Sequence, residues 1–255
     1  MTSPVSTPIA ELVPTLERLR QAQAAATPDF AQRRDDLRRL RRVFKARMDE
    51  MVAAVSADFG GRSRHETLLT DAMTVLAEID HTLRHLRRWM RPQRKSVDWL
   101  FLPARAQVRI QPLGVVGVIS PWNYPVNLAL IPLVSAIAAG NHVYLKPSEH
   151  VPNTSAFLAS LLAEVFPTNR VAVALGGADV AAAFSALPFD HLFFTGSTAV
   201  GRHVMAAAAA NLTPVTLELG GKSPAIIAPG YPLATAAARI ATGKWLNAGQ
   251  TCIAP

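Results

Sequence analysis

Val115-Val116-Gly117-Val118-Ile119, then the run Asn127 to Ala139 closed by Gly140, then His142-Val143-Tyr144-Leu145, is the stretch whose reading decides the fold. The two flanking runs are apolar without a polar alternation, so each is expected as a strand covered on both faces. The thirteen residues between them suit a helix, and Gly140 just beyond suits its left-handed cap. The pattern repeats downstream, with helices expected over 153–166, 178–186 and 198–209, and strands over 171–175, 191–194 and 215–219. A further strand is expected at 225–227 and a last helix over 233–247. Strands alternating with helices predict an α/β fold built on a doubly wound, mostly parallel sheet. Ligands of such sheets bind beyond the carboxyl ends of the strands.

Upstream the pattern changes. Pro4, Pro8, Pro14 and Pro28 mark residues 1–28 as a loosely ordered arm with one short helix over 15–26. Phe30, Leu37, Leu40, Phe44, Met48, Met51 and Val55 then recur at helical spacing, and Asp58-Phe59-Gly60-Gly61 ends that stripe. A second helix is expected over 66–90, stopped by Pro92, so the two form a helical hairpin. Residues 97–112 read as strand and turn. The chain thus divides into 1–28, 29–112, 113–219 and 220–255.

Composition excludes several functions. Half of the 255 residues are hydrophobic and 17% are charged, as in soluble globular proteins. The longest apolar stretch, 128–140, is broken by Pro132 and Ser135 and is too short to span a bilayer. No charged leader precedes an apolar run, and the single cysteine suits a reducing cytoplasm. Of the net charge of +8, residues 1–110 carry most, with 20 Lys and Arg against 13 Asp and Glu. The dense run Arg33, Arg34, Arg38, Arg39, Arg41 and Arg42 is interleaved with Asp35 and Asp36 and lacks aromatic partners. It reads as a solvated helix face, not a nucleic-acid surface. His81 and His85 lie four apart, but no third ligand accompanies them, so no metal site is expected. A Gly-x-Ser-x-Gly elbow is also missing.

The strand ends carry the chemistry. Phe194-Thr195-Gly196-Ser197-Thr198-Ala199-Val200-Gly201 joins a strand to a helix with small residues. It is either a tight turn or a place where backbone N–H groups meet a phosphate. Lys146-Pro147-Ser148-Glu149 is either a surface turn or a lysine and acid holding two ribose hydroxyls, the acid then disfavouring a 2′-phosphate. Two prolines stiffen Pro121-Trp122-Asn123-Tyr124-Pro125. Asn123 there either satisfies loop backbone or donates to an oxyanion. Glu218 is a lone acid on an apolar strand, expected to be buried, as a base or as a structural ion-pair partner. Cys252, in Gly249-Gln250-Thr251-Cys252, is a candidate nucleophile.

Taken in this order, these motifs resemble the NAD(P)-dependent aldehyde dehydrogenase superfamily. His65-Glu66-Thr67 and Arg88-Trp89-Met90-Arg91-Pro92 are similar to its coniferyl-aldehyde dehydrogenase branch. The resemblance implies that 113–219 is a Rossmann-like NAD-binding domain and 220–255 the start of a catalytic domain. It implies Cys252 as nucleophile, Glu218 as the base activating water, and Asn123 with the Cys252 N–H as oxyanion donors. Lys146 and Glu149 would bind the adenosine ribose. Thr195, Gly196, Ser197, Leu219, Ile119 and Trp122 would line the cofactor channel. The expected cofactor is NAD, with NADP possible. The expected substrate is an aromatic or medium-chain aldehyde, oxidised to its acid through a thiohemiacetal and a thioester. The full-length protein would be a cytoplasmic homo-oligomer, a dimer or tetramer. This chain would be its N-terminal half, inactive alone, with exposed apolar surface after Gly221.

Overall fold

The computed structural model describes residues 6–255. Residues 1–5 of the expected arm lie outside the described residues. The rest of that arm is ordered, unlike the loose segment read from its prolines. Helix α1 (Leu12–Ala25) buries Leu12, Leu16 and Leu19, and this apolar stripe docks it on the sheet. The long helical stripe is split in two, α2 (Phe30–Ala46) and α3 (Met48–Asp58), with Arg47 between them at φ −105° and ψ 18°. The second helix of the hairpin is α4 (Arg64–Thr67), a π-helical turn (Leu68–Ala72) and α5 (Met73–Trp89). Two short antiparallel strands follow, β1 (Gln93–Lys95), ahead of the region 97–112 expected as strand and turn, and β2 (Ala106–Val108), within it.

Then come β3 (Val115–Ile119), α6 (Asn127–Ala139), β4 (His142–Lys146), α7 (Pro152–Val165), β5 (Val171–Val173) and α8 (Ala178–Ser185). They are followed by β6 (His191–Gly196), α9 (Thr198–Ala209), β7 (Val215–Leu219) and α10 (Leu233–Trp245). The five strands of the larger sheet are all parallel, in the order β5-β4-β3-β6-β7. Side chains alternate across the sheet. Val116, Val118, Val143 and Leu145 lie on one face, in a core with α6 and α7 on which α2, α3 and α5 pack in turn. Val115, Ile119, Tyr144, Leu192 and Phe194 meet α1, α8 and α9 on the other. The doubly wound reading therefore holds. Residues 225–227 form no strand: the chain after β7 runs without regular structure, and Ile226 is 91% exposed. Among the described residues β7 is an end strand with no partner beyond β6.

Polar side chains join the layers. The α2 run read as a solvated face is partly internal. Buried Arg33 donates to the carbonyls of Pro28 and Ala138, and buried Arg170 pairs with buried Asp36 at 3.1 Å. Gly140 sits at φ 92°, and a Cβ there would strike the Arg33 guanidinium. Asp58, at the end of α3, caps α7 by accepting from the N–H groups of Asn153 and Thr154. Deepest is the pair Arg62–Asp71 at 3.1 Å, with side chains 3% and 0% exposed. Asp71 Oδ1 also accepts from the N–H of Val126 and of Asn127, and so caps α6.

Two expectations follow. Asp71→Ala strands the buried Arg62 charge and two N–H groups, so it should lower unfolding free energy by about 3–5 kcal/mol; urea denaturation measures this as a shifted midpoint. His142, whose Nδ1 lies 3.1 Å from the Leu19 carbonyl, is pushed down from 6.5 to about 4 by burial and then by the Arg170 charge. It stays neutral in the fold while the unfolded chain takes up a proton. Its contribution is therefore full above about pH 6.5 and is lost as pH falls toward about 4, by at most about 3 kcal/mol. His142→Gln should flatten that part of the pH dependence of urea stability.

Candidate active site

The chain leaves β3 toward β4 on one side, and β6 lies on the other. The connections that follow β3 and β6 therefore diverge, and the crevice between them opens at the carboxyl ends of the strands. A cleft of about 740 Å³ lies there. Ile119, Trp122, Asn123, Lys146, Glu149, Thr195, Gly196, Ser197, Glu218, Leu219 and Cys252 all line it, so the tertiary structure brings together every residue singled out from sequence.

One wall is made by β4 and β6. Lys146 is buried and its Nζ meets Glu149 Oε2 at 2.8 Å. Partial burial pushes the Glu149 carboxyl up, but the Lys146 hydrogen bond and charge outweigh it and hold the group below the usual carboxylate range. Glu149 is thus held as the carboxylate beside the buried lysine. Gly196 ends β6, where a Cβ would lie 2.5 Å from the Phe194 ring. Ser197 then caps α9 by accepting from the Val200 N–H at 3.3 Å. This helix directs its positive N-terminal end at the cleft. A pyrophosphate-bearing dinucleotide fits this wall: a glycine at the turn, a helix N-terminus, and a lysine–carboxylate pair at the next strand end.

The opposite wall is the loop Ser120–Pro125 facing the cysteine loop. Trp122 packs near Phe59, whose ring also meets the Arg62 guanidinium at 5.0 Å, and Arg62 lies 5.1 Å over Tyr124. Tyr124 Oη and Thr251 Oγ1 are hydrogen-bonded at 2.6 Å. The Asn123 amide donates to the Gln250 carbonyl at 2.9 Å. A primary amide has two N–H groups, so this bond leaves one for a ligand. Both readings of Asn123 are compatible with this geometry. Cys252 is exposed on the cleft.

Glu218 requires a correction. It was expected to be buried, yet it is exposed, because it lies on β7, the end strand, with no element over its outer side among the described residues. Sequence reading also missed Asn247 and the strained turn before the cysteine. Asn247 and Ala248 both have φ 53° and Gly249 has φ 78°. Asn before a small residue and glycine was the available signal, since Asn tolerates the left-handed region. The partner that holds this turn, Glu66, was quoted in a motif but given no role.

The comparisons with known proteins converge. A family model described as "Aldehyde dehydrogenase family" matches residues 16–255. A protein of Pseudomonas aeruginosa called "Probable coniferyl aldehyde dehydrogenase" is 54% identical over 94% of this chain and 52% of its own length. The substrate-bound Staphylococcus aureus AldH structure superposes with a TM-score of 0.92 at 34% identity, over 98% of this chain and 54% of that one. An NAD+ complex of a Bacillus cereus aldehyde dehydrogenase superposes with a TM-score of 0.88 at 26% identity, over 98% of this chain and 51% of that one. The chain spans about half the length of the curated relatives it matches.

Proposed function

This chain belongs to the aldehyde dehydrogenase family, and we propose on that premise that its cleft takes NAD and an aldehyde. In a polypeptide of the relatives' length it would oxidise the aldehyde to a carboxylic acid. The observation that carries this reading is the meeting of Cys252, Asn123, Glu218 and the Lys146–Glu149 pair in one cleft at the switch point of the sheet. On this reading 113–219 is the cofactor unit and 220–255 the beginning of the catalytic one.

Bound there, the dinucleotide supplies a hydride acceptor. The residues of the chain do the rest. Lys146 and Glu149 hold ribose hydroxyls, and the first turn of α9 receives the pyrophosphate. Ile119, Trp122, Thr195 and Leu219 form the channel walls. The Cys252 thiolate adds to the aldehyde carbon and gives a thiohemiacetal. The free N–H of Asn123, with the Cys252 N–H, donates to the oxyanion; one such donor is worth about 3 kcal/mol. Loss of hydride leaves a thioester on Cys252, and Glu218 takes the proton from the water that hydrolyses it. The identity of the Pseudomonas aeruginosa relative supports an aromatic, coniferyl-type aldehyde as substrate. The 255-residue chain alone would bind cofactor without turnover.

Two measurements test this. Titration of the chain with NAD, followed by the emission of its tryptophans, should saturate. Lys146→Ala should weaken binding about tenfold, and NADP should bind at least about tenfold more weakly than NAD. No saturation at millimolar NAD would remove the cofactor reading. In the complete polypeptide, Cys252→Ala should abolish NADH formation from coniferyl aldehyde. Glu218→Gln should give one burst of NADH and then a steady rate reduced about 10²-fold or more; unimpaired steady turnover would reject Glu218 as the base.

A further inference from the structure

Five residues before Cys252 the backbone enters the left-handed region and stays there for three residues, Asn247, Ala248 and Gly249. A non-glycine residue there costs about 1 kcal/mol or more and persists where surrounding contacts over-determine it. The contacts are on view. Asn247 is buried, and its N–H donates to Glu66 Oε1, a carboxylate from α4 of the helical hairpin. Its side-chain amide donates to the Asn123 carbonyl at 2.8 Å and to the Gln250 carbonyl at 3.3 Å. The same Gln250 carbonyl receives the Asn123 amide. The strained turn is thus gripped at its backbone by one element, while its side chain bridges the loop after β3 to the loop that bears the thiol.

We propose that Glu66 and Asn247 are positioning residues, forming a clamp that fixes the Asn123 amide relative to the Cys252 sulfur. The proposal rests on the reading that these two groups do the chemistry. Glu66 acts through Asn247 and touches neither. Its grip is charge-assisted, since a carboxylate accepts from a backbone N–H. Asn247 contributes two donors from one planar amide, which locks both carbonyls in one orientation. The helical hairpin thereby sets the geometry of the nucleophile's loop.

The test uses the 255-residue chain without cofactor. Amide hydrogen exchange is followed over 247–252 in the parent, Glu66→Ala, Glu66→Gln and Asn247→Ala. A spin label on Cys252, the single cysteine, reports motion at the nucleophile itself. Glu66→Ala should speed exchange in the loop about tenfold or more and mobilise the label. Glu66→Gln, which keeps an acceptor oxygen, should stay within about threefold of the parent. Asn247→Ala should match or exceed Glu66→Ala; if it does not fold, the two Glu66 variants decide. Loop exchange in Glu66→Ala within about twofold of the parent overturns the clamp, as does a Glu66→Gln chain indistinguishable from Glu66→Ala. NAD titration of the same samples keeps the two readings apart. A chain that binds no NAD sinks the cofactor reading, while the exchange data judge the clamp alone.

Discussion

The central strands β3 and β4 are buried on both faces, so their side chains reach water only at the ends. That constraint shapes the rest of the molecule. Helices must cover both faces, so α2, α3, α5, α6 and α7 take one side and α1, α8 and α9 the other. The connections that leave β3 and β6 at the same edge must then part, and the cleft is the space they vacate. Polar and reactive residues collect there because nowhere else on the sheet can hold them at low desolvation cost.

The two walls of the cleft are held by different means. The wall at β4 and β6 is local: a lysine and an acid three residues apart, and a glycine at a strand–helix turn. The wall bearing Asn123 and Cys252 is assembled from segments far apart in sequence. Asp71 caps α6 and pairs with Arg62, which lies against the rings of Phe59 and Tyr124. Tyr124 reaches Thr251, and Asn247 reaches Asn123. A π-helical turn carries Asp71, and the carbonyl of Thr70 in that turn accepts from the Asn127 side-chain amide. The helical hairpin therefore has a specific task at the site.

The exposed end strand explains why Glu218 and the segment after it differ from expectation. Among the described residues β7 has no further partner and shows its acid to solvent, and the residues after Leu219 have no neighbouring strand to pair with. The relatives are about twice as long.

Much of this was legible beforehand. Unalternating apolar runs such as Val115–Ile119, with Gly140 past the helix end, specify a parallel α/β sheet, because period and caps are local properties of the chain. The strand-end motifs likewise named the lining residues of the cleft. Sequence could not show that α1 packs on the sheet, that Arg33 is internal, that Glu218 is exposed, or that Glu66 grips Asn247. Each of those depends on which surfaces meet across more than a hundred residues or at the sheet edge. Only the folded chain decides such meetings, since burial and long-range hydrogen bonds are properties of pairs of segments and not of either segment alone.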